Sequence, residues 1–373
     1  MTKRGRERAD LVGKVQTVLG PVAGSALGVT MTHEHLLVDL APLLKPPVEA
    51  SKRGFFFAPL SMEMLGRINF AGQTNLDNSR LVDVETAIAE TLLYRRAGGG
   101  AIVEATSLGI GRDPEGLRAI ALGSGVHIIM GGSYYLAAAH PADMESRSED
   151  AIVEEIVGDV FDGVGRSGVC SGIIGEVGCS WPLTAGERKV LRASGRAQRR
   201  TGAPLLIHPG RDEAAPAEII EVLRDVGTDL SRTIIGHIER TVFERSVLKK
   251  LAETGCVIEF DLFGREHSYY KHAPHIDMPN DAERLRTIAW LIAEGHGRQI
   301  VLAHDTASKA HLVRYGGCGY AHVVQNIVPR MRARGFREDD IQAMLVETPR
   351  RLLTFVAPSG SPRTRTHHKG GRG

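Results

Sequence analysis

Short apolar, β-branched stretches recur along the chain, and each closes on polar or glycine residues. They cover 28–37 (GVTMTHEHLL), 101–107, 126–132, 171–178, 204–210, 233–239, 256–264 and 299–305. Runs of this length bounded by turn residues predict eight strands. Amphipathic stretches between them predict helices. In LVDVETAIAETLLYRRAGG, Leu81, Val84, Ile88 and Leu92 share one helical face before the pattern ends in glycines. Thr184 with Glu187, Thr241 with Glu244, and Asn280 with Glu283 have the spacing of a capping box. The helices that follow end at Gly202, Gly255 and Gly295, as a C′ position favours.

Strand and helix alternating to eight strands predict an α/β chain folded as a closed (β/α)8 TIM barrel. The alternative is an open doubly wound sheet. It would want a G-x-G-x-x-G turn after an early strand, and the sequence has none. Residues 11–27 predict a short N-terminal β-hairpin placed to plug the barrel bottom. Residues 41–80, with KPP and GFFFAPL, predict an elaborated loop after the first strand. The expected organisation is a basic extension over 1–13, one barrel over 14–357, and a disordered basic tail over 358–373.

Composition narrows the function classes. Of 373 residues 42% are hydrophobic, enough for a large core, and 46 basic residues stand against 44 acidic. That balance predicts no nucleic-acid partner and no membrane surface. No run of 18 apolar residues occurs, and no apolar segment follows the basic start, so neither a spanning helix nor a secretory signal is expected. Cys170, Cys179, Cys256 and Cys318 are scattered without a C-x-x-C pair. They fit a reducing, cytoplasmic compartment and no structural zinc knuckle. His367 and His368 in the tail could hold a metal only adventitiously.

The stretch MTHEHLLVDL carries the first chemistry. His33 and His35 lie two apart, so a strand points both rings to one face. In a barrel the reactive groups sit at the C-terminal strand ends. There the fourth strand offers Glu176, the fifth His208, the sixth His237 and the eighth Asp305, with His304 beside it. A lone strand-end histidine is more often a hydrogen-bonded structural residue, and Asp305 could cap a helix. Six such groups from five strands at one mouth point instead to divalent metal, zinc first. Six ligands exceed one tetrahedral zinc and suit two ions about 3.5–4 Å apart that share a carboxylate. Glu176 is the natural bridge, since its strand lies between the histidine sets. Glu34 alternates with the two histidines and takes a structural role.

These residues resemble the phosphotriesterase-related branch of the amidohydrolase superfamily. The matching stretches are THEHL, GIIGEVGCSWPLT, IHPG, GHIERT, EFDLFG and AHD, with YGGCGYAH beyond. The resemblance implies a binuclear, usually zinc, centre. His33, His35 and Asp305 would hold the buried ion, His208 and His237 the exposed one, and Glu176 would bridge them. Better-known phosphotriesterases bridge through a carboxylated lysine, which Glu176 replaces here. Their proton-relay positions correspond to Leu262 and Arg240, which disfavours efficient phosphotriester hydrolysis.

The expected protein is a binuclear zinc-dependent hydrolase in which a metal-bridged hydroxide attacks an ester-like bond. Asp305 takes the proton. A carboxylic ester or lactone ranks ahead of a phosphotriester. An amidase for a small anionic N-acyl compound is the alternative, and a catalytically silent barrel with a binding role is the second. The small-molecule substrate would meet Arg240, Asp261, Tyr134 and Trp181, with Tyr135, Arg211, Arg265 and Tyr315 as further candidates. Arg240, three residues past His237, favours an anionic group. It could equally pair with Asp261 or Glu239 and hold a loop. A homodimer is the commonest assembly for such a chain.

Overall fold

The computed structural model describes residues 11–71, 75–271 and 273–359. The basic start over 1–10 and most of the proposed tail, with His367 and His368, lie outside the described residues. Eight parallel strands build the scaffold. They are β3 (Val29–Glu34), β6 (Gly99–Glu104), β7 (His127–Met130), β8 (Ile174–Gly178), β9 (Leu205–His208), β10 (Thr233–Ile235), β11 (Val257–Phe260) and β12 (Ile300–Leu302).

The ladders join β8 through β12 in sequence order, and β3 to β6 to β7. Gly132 and Gly175 exchange backbone hydrogen bonds of 3.0 and 2.8 Å between β7 and β8, and Asp305 N donates to His33 O at 3.1 Å between β12 and β3. These contacts bring the two sheets edge to edge as an eight-stranded α/β barrel. Gly175 sits at φ +129°, where an added Cβ would lie 2.2 Å from Leu206 O, so only glycine lets β8 approach β9 this closely.

An inner core takes alternate residues from the strands: Val103, Ile129, Leu206, Ile234, Val257 and Val301. The leading hairpin, β1 (Lys14–Thr17) and β2 (Gly20–Ala23), pairs antiparallel and adds Val15 to that core. It is stitched to the segment after the last helix by Phe355 N donating to Lys14 O at 2.8 Å. Among the described residues no helix is long and apolar enough to cross a membrane.

Several local expectations change. The segment 41–80 is not simply a loop. It carries helices Ala50–Phe57 and Leu65–Ala71, and the residues that flank it pair as β4 (Val38–Asp39) and β5 (Arg80–Leu81). Helix Val84–Arg96 buries Ala87, Glu90, Thr91 and Tyr94, while Val84, Ile88 and Leu92 are only half buried and Leu81 belongs to β5. Polar anchoring turns the face: Glu90 accepts from Val313 N and Arg314 N. The capping boxes at Thr184 and Asn280 form. The one at Thr241 does not, because a short 3-10 turn over Ile238–Arg240 draws Thr241 back to bond His237 O at 2.9 Å. The next helix starts later, at Arg245.

Candidate metal centre

A register irregularity between Met31 and Glu34 lets β3 send Met31 into the outer core and the rings of His33 and His35 into the barrel mouth. Glu34, between them, turns the other way. Its carboxylate accepts from His304 N, His304 Nδ1 and Thr306 N, tying β3 to β12. His208 closes β9. His237 and Asp305 follow β10 and β12 at φ 51° and 48°, a left-handed backbone that non-glycine residues avoid. Hydrogen bonds hold both there: His237 N donates to Asp261 Oδ2 at 2.7 Å, and Asp305 N to His33 O.

Three ligand-like groups result: His33, His35 and Asp305; Glu176, His208 and His237; and His33, His237 and Asp261, which shares one histidine with each of the first two. Glu176 stands between the first two. Its Oε1 is 3.3 Å from His35 Nε2, and its Oε2 is 3.4 Å from His33 Nε2, 2.8 Å from His208 Nδ1 and 3.4 Å from His237 Nε2. Burial pushes the Glu176 carboxyl up, but His33 and His208 outweigh it and hold the group well below the usual carboxylate range. Asp305 Oδ1 lies 3.3 Å from His35 Nε2, and Arg265 Nη2 donates to Oδ2 at 2.7 Å. The Asp305 carboxyl is lowered despite burial, Arg265 being the largest favourable influence.

A second layer orients the rings. His33 Nδ1 lies 3.0 Å from Glu259 Oε2 and 3.2 Å from Asp261 Oδ2, and His237 Nδ1 lies 2.9 Å from Asp261 Oδ1. His35 Nδ1 meets Thr106 Oγ1 at 2.8 Å, and Thr106 donates on to Glu104 at 2.6 Å. Each outer nitrogen thus meets an acceptor, and each Nε2 is left facing the cluster. His33 Nε2 is buried with no hydrogen-bond partner. A buried imidazole nitrogen left without a partner among carboxylates and other imidazoles is a position that a divalent cation would satisfy. The donor set fits such ions.

The mouth opens into a cavity of about 540 Å³. Leu43, Leu44, Ile68 and Phe70 line one part, and Arg211, Arg240, Arg265 and Lys271 another. Arg240 is only 4% exposed. Its Nη2 meets His208 Nε2 at 3.1 Å and Pro209 O at 3.2 Å, and Nη1 reaches Thr241 Oγ1 at 3.4 Å. Glu239 pairs instead with Arg284, and Asp261 with the histidines. Among the described residues no carboxylate lies within ion-pairing distance of Arg240.

The other sequence candidates scatter. Asp261 is fully buried behind His33 and His237, where it holds both imidazoles instead of facing the cavity. Tyr134 turns its hydroxyl to Arg147, whereas Tyr135 lines the cavity with its hydroxyl 3.3 Å from His208 Nδ1. Trp181 is 39% exposed and packs beside Gly210, away from the cavity lining. Sequence reasoning passed over Glu259, Thr106 and Glu104. Glu259 and Asp261 lie two apart on one strand face, the same signal that singled out His33 and His35. Thr106→Val is expected to weaken binding of one ion about 10–100-fold, because His35 loses its outer acceptor. Chelator competition with metal counting checks it, and an unchanged affinity would dismiss the relay.

The profile of the phosphotriesterase family matches residues 13–353. N-acetyltaurine hydrolase of Rattus norvegicus is 42% identical over 351 residues, covering 93% of this chain and 99% of the relative. The Homo sapiens N-acetyltaurine hydrolase is 41% identical over 348 residues, with the same coverage. A resiniferatoxin-binding protein from Rhodobacter sphaeroides superposes with a TM-score of 0.87 at 36% identity, over 91% of this chain and 95% of that one. A lactonase from Listeria monocytogenes shares the fold with a TM-score of 0.74 at 24% identity, over 92% and 99% of the two chains.

Proposed function

The chain belongs to the phosphotriesterase family, and on that footing we propose that it is a metal-dependent hydrolase of small N-acyl amides carrying an anionic head, amino-sulfonates first. Arg240 carries the reading: a buried guanidinium without a carboxylate partner among the described residues, turned to the same cavity as the ligand groups. Arg211 and Lys271 line that cavity beside it. A neutral triester gains nothing from three cations, whereas a sulfonate or carboxylate gains charge-assisted hydrogen bonds. A relative 42% identical over nearly the whole chain bears the name of such a compound's hydrolase. The amide therefore moves ahead of the ester and lactone that sequence reasoning ranked first.

His33, His35 and Asp305 would hold one divalent ion and His208 and His237 another, with Glu176 shared between them. Bound there, the ions would supply Lewis acidity, bringing the pKa of a water down to about 7 and polarising the scissile carbonyl. The chain's residues do the rest. Arg240, Arg211 and Lys271 receive the anionic head and set the amide over the ligand groups. Leu262, Phe263 and Met278 help keep bulk water from the amide. Asp305, ionised and clamped by Arg265, accepts a proton at its carboxylate and returns it to the departing nitrogen, which leaves as an amine.

The test compares N-acetyltaurine with the neutral N-acetylethanolamine, following acetate release by metal-loaded protein. The sulfonate is expected to win by about 10–100-fold in kcat/KM, the worth of one or two charge-assisted hydrogen bonds. Arg240→Ala should raise KM for the sulfonate by a similar factor and leave the neutral amide nearly unchanged. Equal rates for both substrates in the unaltered protein would sink the reading.

A further inference from the structure

We propose that Arg240 weakens the metal position formed by Glu176, His208 and His237 until an anionic group draws it off His208, so that anion binding and occupancy of that position strengthen each other. This rests on the cavity being an anion site.

His208 Nδ1 faces inward, 2.8 Å from Glu176 Oε2 and 2.8 Å from His237 Nε2, with the Tyr135 hydroxyl at 3.3 Å. Its other nitrogen, Nε2, lies 3.1 Å from Arg240 Nη2. A guanidinium has only N–H donors, so Nε2 must offer it a lone pair. The ring's single proton then sits on Nδ1, where Glu176 accepts it. A metal ion needs the lone pair on Nδ1, the nitrogen that faces the other two ligands. With Nδ1 ligating, the proton moves to Nε2 and points at the Arg240 N–H: two donors face each other with no acceptor.

The other three histidines carry no such conflict. Their outer nitrogens meet Glu259 and Asp261, Thr106, and Asp261, all acceptors. Metal-binding imidazoles ordinarily keep an acceptor there. Among the described residues only His208 of the four has a cation behind it, and that cation also repels a divalent ion directly.

Arg240 is free to answer an anion. Among the described residues its other hydrogen bonds go to the neutral Pro209 carbonyl and Thr241 hydroxyl. Arg211 and Lys271 line the same cavity and would help bind the anion that recruits it. Once Arg240 turns to a sulfonate or carboxylate, His208 Nε2–H is released from the opposing donor and the charge beside the ion is compensated. By linkage, the ion must then favour the anion by the same factor.

The experiment dialyses the metal-loaded protein against graded chelator and counts retained ions per chain by mass spectrometry. Methanesulfonate is the probe, and neutral dimethyl sulfone is its control. The chelator midpoint for the more labile ion is expected to rise about tenfold with methanesulfonate and not with the sulfone, within the usual range of coupling between sites. In Arg240→Gln, whose amide oxygen can accept from His208, the midpoint should already be high, and methanesulfonate should add nothing. Either of two results overturns the proposal: no shift in the unaltered protein, or the same shift in Arg240→Gln, which would mean the anion ligates the ion itself. The first does not depend on the variant folding. Failure of the hydrolase reading looks different: no acetate from N-acyl sulfonates while the retention shift persists.

Discussion

Glu176→Ala is expected to lose most of its bound metal and to lower kcat/KM by about four decades, about 5.5 kcal/mol of transition-state stabilisation. The expectation comes from position. Glu176 reaches all four histidines, with Oε1 beside His35 and Oε2 beside His33, His208 and His237. The other candidate ligands each contact part of that set. Removing the carboxylate takes a negative charge from between two would-be dications and leaves the imidazoles facing one another. Glu176→Gln keeps the volume and one acceptor but not the charge, so it should retain more metal than alanine and still fall far below the native protein. Metal counting separates these cases, and far-UV circular dichroism separates loss of metal from loss of fold. Two ions held at full occupancy in the alanine variant would refute the shared-ligand assignment.

Periodicity made the barrel and the ligand candidates legible. Eight apolar runs announce eight strands, and the i, i+2 spacing of His33 and His35 is visible without coordinates because a strand repeats every two residues. The T-x-x-E and N-x-x-E pairs at Thr184 and Asn280 are local devices and form where the sequence writes them. What depends on distant partners was not legible. Glu90 is buried in helix Val84–Arg96 because backbone amides more than 200 positions later need an acceptor, and hydrophobic patterning ranks such a glutamate as surface. The Thr241 box looks the same as the other two, yet the 3-10 turn after His237 takes its hydroxyl first. Nor could the sequence choose between Tyr134 and Tyr135. They follow Ser133 at φ 74°, where the strand period has ended and no alternation says which ring faces the cavity.

Asp305→Asn is expected to lower kcat about a thousandfold while leaving KM within a few-fold, near the middle of what a positioned acid–base group contributes. Asp305 differs from the other candidate ligands in where it ends. His35, Glu176, His208 and His237 also line the cavity, but they and His33 are buried almost completely, whereas the Asp305 side chain is 13% exposed. One oxygen stays with the histidines, Oδ1 at 3.3 Å from His35 Nε2, and the other accepts from Arg265. Arg265 also donates to the Asp305 carbonyl, so one guanidinium fixes both side chain and backbone. The carboxylate therefore has a face on the ligand cluster and a face on the substrate space. It stays ionised in spite of burial, which is the state a proton acceptor must start from. Asparagine preserves the shape and an oxygen toward His35 but takes no proton. Metal should therefore be lost far less completely than in Glu176→Ala, and the deficit should appear in kcat. That signature is opposite to the one expected of Arg240→Ala, where binding of the anion fails and KM rises. If Asp305→Asn kept kcat within tenfold with both ions in place, the proton would have another route, and Asp305 would be a ligand alone.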